Sequence, residues 1–341
     1  DLYLQAERDT DLVNRCLAFM TIMDREKLKM LADPSTLPDP ACIDLYYRFL
    51  SDHDLMMLGG GQFLTIFESA PDKKYAHHYQ ALYDIREKIL QSIAARYTTD
   101  LRDIYNSVNF FDVRRDLLHQ EILTIKRRQI KNTALSILSR LDTPDIHQMI
   151  KDQFTSSLNA TDKLVAFSLY MDSSAEDRHA LLDTFEQESK KNPVSWENFL
   201  TVIAANSSPD VLNLISRVEQ SDAFRIEQAN DQRALYGRFA LNRKKSLQTD
   251  EGHTFLQKTL LKLAPINEHS TVSMLRVFGA LDAMEEADHI PLVGILAGLL
   301  DELDPEKTPS VYNTIRRILA ASPRAVRNYE QKLGIIPNRR R

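Results

Sequence analysis

LYDIREKILQSIAARYTTDLRDI, residues 82–104, decides the fold class. Its apolar positions Leu82, Ile85, Ile89, Ile93, Tyr97, Leu101 and Ile104 recur at steps of three and four, which places them on one face of an α-helix. Thr98-Thr99-Asp100 can interrupt the run and cap a second helix. The same period continues through Val113, Leu117, Leu118, Ile122, Ile125, Ile130, Ala134, Ile137, Leu138 and Leu141. Thr143-Pro144 then stops it and opens another helix with proline in the first turn.

Downstream, helical runs of about 10 to 16 residues alternate with capping clusters. These are Asn159-Ala160-Thr161-Asp162, Asp172-Ser173-Ser174, Asn192-Pro193, Ser207-Ser208-Pro209-Asp210, Asp304-Pro305 and Ser322-Pro323. Each offers a side-chain acceptor where the first N–H groups of a helix have no intrahelical partner. No alternating run bounded by hairpin turns stands out, so the expected fold is all-α. Helix–turn–helix units at roughly 30 to 40-residue intervals suggest an armadillo/HEAT-like superhelix of stacked antiparallel helix pairs. The expected organisation is one helical domain over 1–341, less regular over 1–75 and regularly helical over 76–335. Gly59-Gly60-Gly61 reads as a flexible joint or loop.

Composition agrees. Nine glycines in 341 residues is about a third of the usual share, which disfavours hairpin-rich and phosphate-cradling folds. A net charge of −5 and a pI near 6.0 give no field suited to nucleic acid or an acidic membrane, so neither is expected as a partner. The apolar run Ile290 to Leu300 falls short of the ~20 residues that span a bilayer. Cys16 and Cys42 form no disulfide framework, and a reducing, cytoplasmic location is the simpler expectation. The chain opens Asp1-Leu2-Tyr3-Leu4, inside an amphipathic segment, which suggests a portion of a longer polypeptide.

Catalytic motifs are not found. No histidine pair has the His-Glu-x-x-His spacing, and no Cys-x-x-Cys exists. His119-Gln120-Glu121 is half a ligand set that nothing completes, and His77-His78 would splay by about 100° on a helix. No metal site and no catalytic residue is therefore expected in this chain. Lys126-Arg127-Arg128-x-x-Lys131 reads as a solvated helix face opposite Ile125, Ile130 and Ala134, and Arg339 to Arg341 as a tail. Tyr46, Tyr47, Phe49, Phe63 and Phe67 read as interhelical packing.

Several ordered stretches nevertheless match a family. Asn230-Asp231-Gln232-Arg233-Ala234-Leu235-Tyr236-Gly237-Arg238-Phe239 resembles N-R-x-R-x-L-x-G-x-F of bacterial aminopeptidase N, a zinc metallopeptidase. Fifteen residues after Gly237, Asp250-Glu251-Gly252 resembles its E-D-G. Asn192 to Phe199 looks like one of its helix starts, and Ser221-Asp222-Ala223-Phe224 resembles H-P-A-F. Upstream, Asn159 to Asp162 resembles N-M-T-D, Arg128 to Leu135 resembles R-x-L-R-N-x-x-L, and Leu101 to Asn106 resembles L-x-x-I-Y-N. The ordered matches run over about residues 80 to 320.

The resemblance is to the family's C-terminal helical domain. It implies an armadillo-like superhelix that packs on the catalytic domain of the same polypeptide and walls the active-site chamber, restricting peptide access. Zinc would belong to that catalytic domain, and peptides in the chamber would be the second partner. Arg233 and Asn267 are the candidates for chamber lining. Two departures stand out: the first arginine of N-R-x-R is Asp231, and the arginine of the family's N-P-Q-x-x-x-R is Ser273. The alternative is a free-standing helical-repeat scaffold that binds protein partners.

Overall fold

The breaks read from the sequence are helix ends. The structure, a computed structural model, describes residues 1–107 and 118–334 and contains no strand among them. Val113, Leu117, the side chains of Leu118 and His119, and Arg339 to Arg341 lie outside the described residues. Two compact units make up the chain, Asp1–Arg178 and His179–Arg341.

In the first unit the 82–104 run forms the helices Tyr79–Arg96 and Thr98–Ser107, divided at Tyr97. Leu82, Ile85, Ile89, Ile93 and Leu101 are buried, as their spacing predicts. Tyr97 stacks on Tyr47 with ring centroids 3.9 Å apart, and its hydroxyl donates to Asp44 at 2.7 Å. Phe19 on the Leu12–Ala32 helix stacks on Phe49 at 5.0 Å and tilts against Tyr46 at 5.7 Å, while Phe63 meets Phe49 edge-on. Phe67 differs from the rest of the predicted aromatic group and is exposed.

The triple glycine is packed closely. Gly60 takes φ +79°, and a Cβ on Gly61 would fall 2.9 Å from the Gln129 carbonyl oxygen. The chain needs glycine here to lie against the Leu118–Leu138 helix. The basic run on that helix also departs from a purely solvated face. Lys126 reaches the Leu58 carbonyl, and Lys131 turns inward, fully buried, onto Asp162 at 2.6 Å. Conversely Ile125, expected on the core side with Ile130 and Ala134, is 41% exposed.

Around Asp162 the carboxylate collects further donors besides Lys131. Asn132 Nδ2 donates to the carboxylate at 2.8 Å and Asn159 Nδ2 at 3.0 Å. Gln153 Nε2 donates to Asn132 Oδ1 at 2.9 Å and to the Asp162 carbonyl at 3.1 Å. Asn159 Oδ1 in turn caps the Ala160–Met171 helix by accepting from Asp162 N–H. Such a pair holds register because removing one partner strands a desolvated charge.

His77 and His78 precede the Tyr79–Arg96 helix instead of lying on it. Their rings are 4.2 Å apart instead of splayed. Other histidines are engaged locally: His147 with Asp142, His253 with the Leu247 carbonyl, and buried His289 with Asn328.

In the second unit the stacking is two-layered. Asp250–Leu263 packs on Glu286–Glu302, which packs on Pro323–Lys332, while between them Glu268–Leu275 packs on Pro309–Ala320. Each helix thus meets the one two steps along, the arrangement in which amphipathic repeats bury their apolar faces. Two helix starts here are capped from afar. Glu268 accepts from Ser310 N–H at 2.6 Å and Val311 N–H at 3.1 Å, and Asp282 from Arg324 N–H at 2.6 Å and Ala325 N–H at 2.9 Å. Gly252 lies so near the preceding turn that a Cβ would fall 1.8 Å from the Lys245 carbonyl oxygen.

Two substitutions test this packing. Asp162→Ala leaves the Lys131 ammonium buried without its carboxylate, and urea unfolding should show a loss of about 3 to 5 kcal/mol. Gly252→Ala forces the Asp250–Leu263 helix away from Lys245 and should cost roughly 2 kcal/mol or more in the same measurement. A neutral result for either would mean the local backbone relaxes freely.

Candidate functional site

The segment carrying Arg233 is a helix with a widened turn. Ala229–Gln232 and Arg238–Leu241 are α-helical, and between them Arg233–Gly237 forms a π turn in which Arg238 N–H donates to the Arg233 carbonyl. A π turn spreads five residues over one bonded loop and is commonly found at functional positions. Its buried side is anchored by Tyr236, which is fully buried, packs edge-on against Phe224 at 5.6 Å and donates its hydroxyl to Glu219 at 2.5 Å. Burial, reinforced by that carboxylate, pushes the Tyr236 pKa up, so the hydroxyl remains a donor.

The opposite side of the turn opens on a cavity of about 580 Å³. Its walls come from three stretches of the second unit. The Pro193–Ala205 helix contributes Glu197, Asn198 and Thr201; the π-turn segment contributes Arg233, Gly237, Arg238 and Leu241. The third wall is Glu268–Leu275 and the 3-10 segment after it, with His269, Ser273, Met274, Arg276 and Val277. Gly237 also lines the cavity, and a Cβ there would meet nothing nearer than 3.8 Å.

The charges are unevenly satisfied. Arg233 pairs with Glu197 at 3.3 Å and Asn230 Oδ1 at 3.2 Å, and Asn230 Nδ2 holds the other Glu197 oxygen at 2.7 Å. Glu197 is therefore neutralised within the cavity wall. The guanidinium groups of Arg238 and Arg276, both exposed, have no hydrogen-bond or ion-pair partner among the described residues. Positive charge remains uncompensated in a cavity that also offers apolar wall.

Of the two residues expected at a chamber face, Arg233 lines the cavity. Asn267 caps Glu268–Leu275 by accepting from Ser270 N–H at 3.1 Å, and its Nδ2 donates to Gln232 Oε1 at 2.8 Å. Buried Gln232 passes the tie on to the Ile226 carbonyl at 2.7 Å. Asn267 thus fastens one wall of the cavity to another. Arg238 and Arg276 were not singled out by the sequence. At 3.6 residues per turn Arg233 and Arg238 would stand roughly 140° apart, and only the π turn brings them toward one face.

A family model described as "Domain of unknown function (DUF3458_C) ARM repeats" matches residues 1–320. The chain belongs to this family. Its armadillo-repeat description agrees with the two-layered stacking, and the all-α repeat fold expected from the sequence is what the structure has. Aminopeptidase N of Escherichia coli (strain K12) is 23% identical over 176 residues, covering 52% of this chain and 20% of that protein. The likeness to the C-terminal region of that enzyme, read from ordered motifs, is thereby upheld. A crystal structure of Legionella pneumophila aminopeptidase A in complex with aspartic acid superposes with a TM-score of 0.79 at 20% identity. It covers 94% of this chain and 38% of that one, so the chain spans well under half of either relative.

Asn267 offers a direct test of how the cavity walls are held. Asn267→Ala removes both the cap and the tie to Gln232 and should lower stability by roughly 2 kcal/mol. Asn267→Asp retains the capping acceptor but has no donor for Gln232, so thermal unfolding should show a smaller loss. Equal losses would mean the cap contributes nothing.

Proposed function

We propose that this chain is the non-catalytic C-terminal helical domain of a zinc aminopeptidase, packing on the catalytic domain and walling the active-site chamber against large peptides. The observation that carries the reading is the match of residues 1–320 to an armadillo-repeat family together with likeness to aminopeptidase N. The Arg233 cavity supports it as the peptide-facing surface, since it combines open polar groups with apolar wall. The catalytic domain of the same polypeptide is then the main partner. Side chains such as Leu4, Val13, Leu17 and Leu58, all more than half exposed in the first unit, would suit packing against it. Peptides in the chamber are the transient partner, and zinc is held by the catalytic domain.

The Legionella aminopeptidase A crystal structure is a complex with aspartic acid. An acidic group near a surplus of guanidinium is compatible with the cavity here. A cytoplasmic setting belongs to the same proposal and is supported by Cys16 and Cys42 being free thiols; none of the described helices is long and apolar enough to cross a membrane.

The test is the reading frame upstream of the Asp1 codon. A Gly-x-Met-Glu-Asn motif and His-Glu-x-x-His with a downstream glutamate are expected there, and the purified product should release N-terminal residues from short peptides in a zinc-dependent way. A nearby start codon without those motifs would sink the proposal and favour a free-standing helical scaffold.

A further inference from the structure

We propose that the first unit binds a small uncharged molecule, an aliphatic amide or alcohol, in a cavity at Tyr46. The inference goes beyond the reading of the chain as part of an aminopeptidase and does not rest on it. The cavity holds about 350 Å³, at the lower end of the range of about 300 to 1,000 Å³ usual for small-molecule sites. Its walls come from the helical segments Pro40–Ser51, Gly61–Leu64, Tyr79–Arg96, Leu118–Leu138 and Ala160–Met171. Tyr46 carries the argument. Only 2% of it is exposed, it lines the cavity, and its hydroxyl has no hydrogen-bond partner among the described residues. Leaving a buried hydroxyl unbonded is costly, and a ligand that bonds it recovers that cost. Burial pushes the Tyr46 pKa up against the pull of the Arg140 guanidinium, so the hydroxyl stays protonated and can both donate and accept.

Two further polar groups on the wall are open. Ser136 Oγ accepts from Arg140 at 3.0 Å, but its own proton has no acceptor among the described residues. The side-chain amide of Gln129 likewise has no partner among them. The charges, by contrast, cancel. The cavity's charged side chains are Arg86 and Arg140. Arg86 pairs with Glu68 at 2.8 Å and with Glu87 at 2.6 Å, and Arg140 Nε donates to Glu87 at 3.0 Å. A charged ligand would therefore lose hydration without gaining an unpaired counter-charge. A neutral head that donates and accepts can satisfy Tyr46, Ser136 and Gln129, while an aliphatic body covers Leu64, Leu90 and Val165. Amide and hydroxyl heads share that chemistry.

Four probes share one apolar body and differ in the head group: cyclohexylacetamide, cyclohexylethanol, cyclohexylacetate and cyclohexylethylammonium. Their dissociation constants are read on the full chain at neutral pH by saturation-transfer NMR titration. At least one neutral probe should bind at least about tenfold tighter than both charged ones. The tighter of the two neutral probes identifies the head group. Tyr46→Phe removes only the hydroxyl and should weaken that probe at least about fivefold. Without probe, the melting temperature of Y46F should stay level or rise, because the lost group bonds nothing in the protein. V165F fills the cavity from its wall and should abolish binding, with circular dichroism verifying the fold; Y46F carries the test by itself if V165F does not fold.

A charged probe that binds as tightly as the better neutral one overturns the site. So does the absence of saturable binding by both neutral probes up to about 10 mM, where ligands of this size should register. An affinity that Y46F leaves unchanged overturns it as well. A lower melting temperature for Y46F does the same, since the hydroxyl would then be bonded within the protein.

Discussion

The side-chain amide of Asn267 is the joint on which the second unit's cavity depends. Its oxygen closes the start of the Glu268–Leu275 helix, and its nitrogen reaches Gln232 on the segment that enters the π turn. The next residue, Glu268, caps the Pro309–Ala320 helix. Two adjacent polar side chains therefore connect three helices in different repeats. This is the general constraint of a fold made of short helices, each of which leaves about four N–H groups to be satisfied at its start. Where those donors find acceptors determines how neighbouring repeats are angled, and so where a cavity opens.

That constraint also explains what could be read from the sequence. Local caps were visible: Asn159 and Asn192 each precede the helix they close and accept from its first turn. Core positions in 82–104 were equally legible, because a single buried face imposes a period. Long-range caps were not. Ser322-Pro323 marks a helix start correctly, yet Ser322 makes no capping bond and Asp282 supplies the acceptor from another helix. Nothing in the local pattern distinguishes the two cases.

Charged residues misled for a related reason. Lys131 shares a run with Lys126, Arg127 and Arg128, and a run of like charge normally marks solvated surface. Its inward turn is dictated by Asp162, a capping-cluster residue on a different helix, and by the amides of Asn132 and Gln153 that complete the shell. Periodicity also fails at the π turn, which resets the face on which every later side chain emerges. Arg233 was legible from its motif, whereas Arg238 becomes its neighbour only through an extra backbone residue in the turn.

The two departures from the aminopeptidase N pattern take on a structural meaning in this setting. Asp231 stands where that pattern has arginine, and it is nearly buried, accepting from Arg225 N–H at 2.9 Å. The position has been given to the scaffold, and a guanidinium would have to be desolvated to occupy it in this geometry. Ser273, in place of the second arginine, leaves a small polar side chain on the cavity wall, while Arg276 lines the same cavity three residues later. With Glu197 occupied by Arg233 and Asn230, loss of two motif arginines does not leave a neutral surface. Arg238 and Arg276 keep the cavity wall positive, and no protein carboxylate among the described residues pairs with either guanidinium.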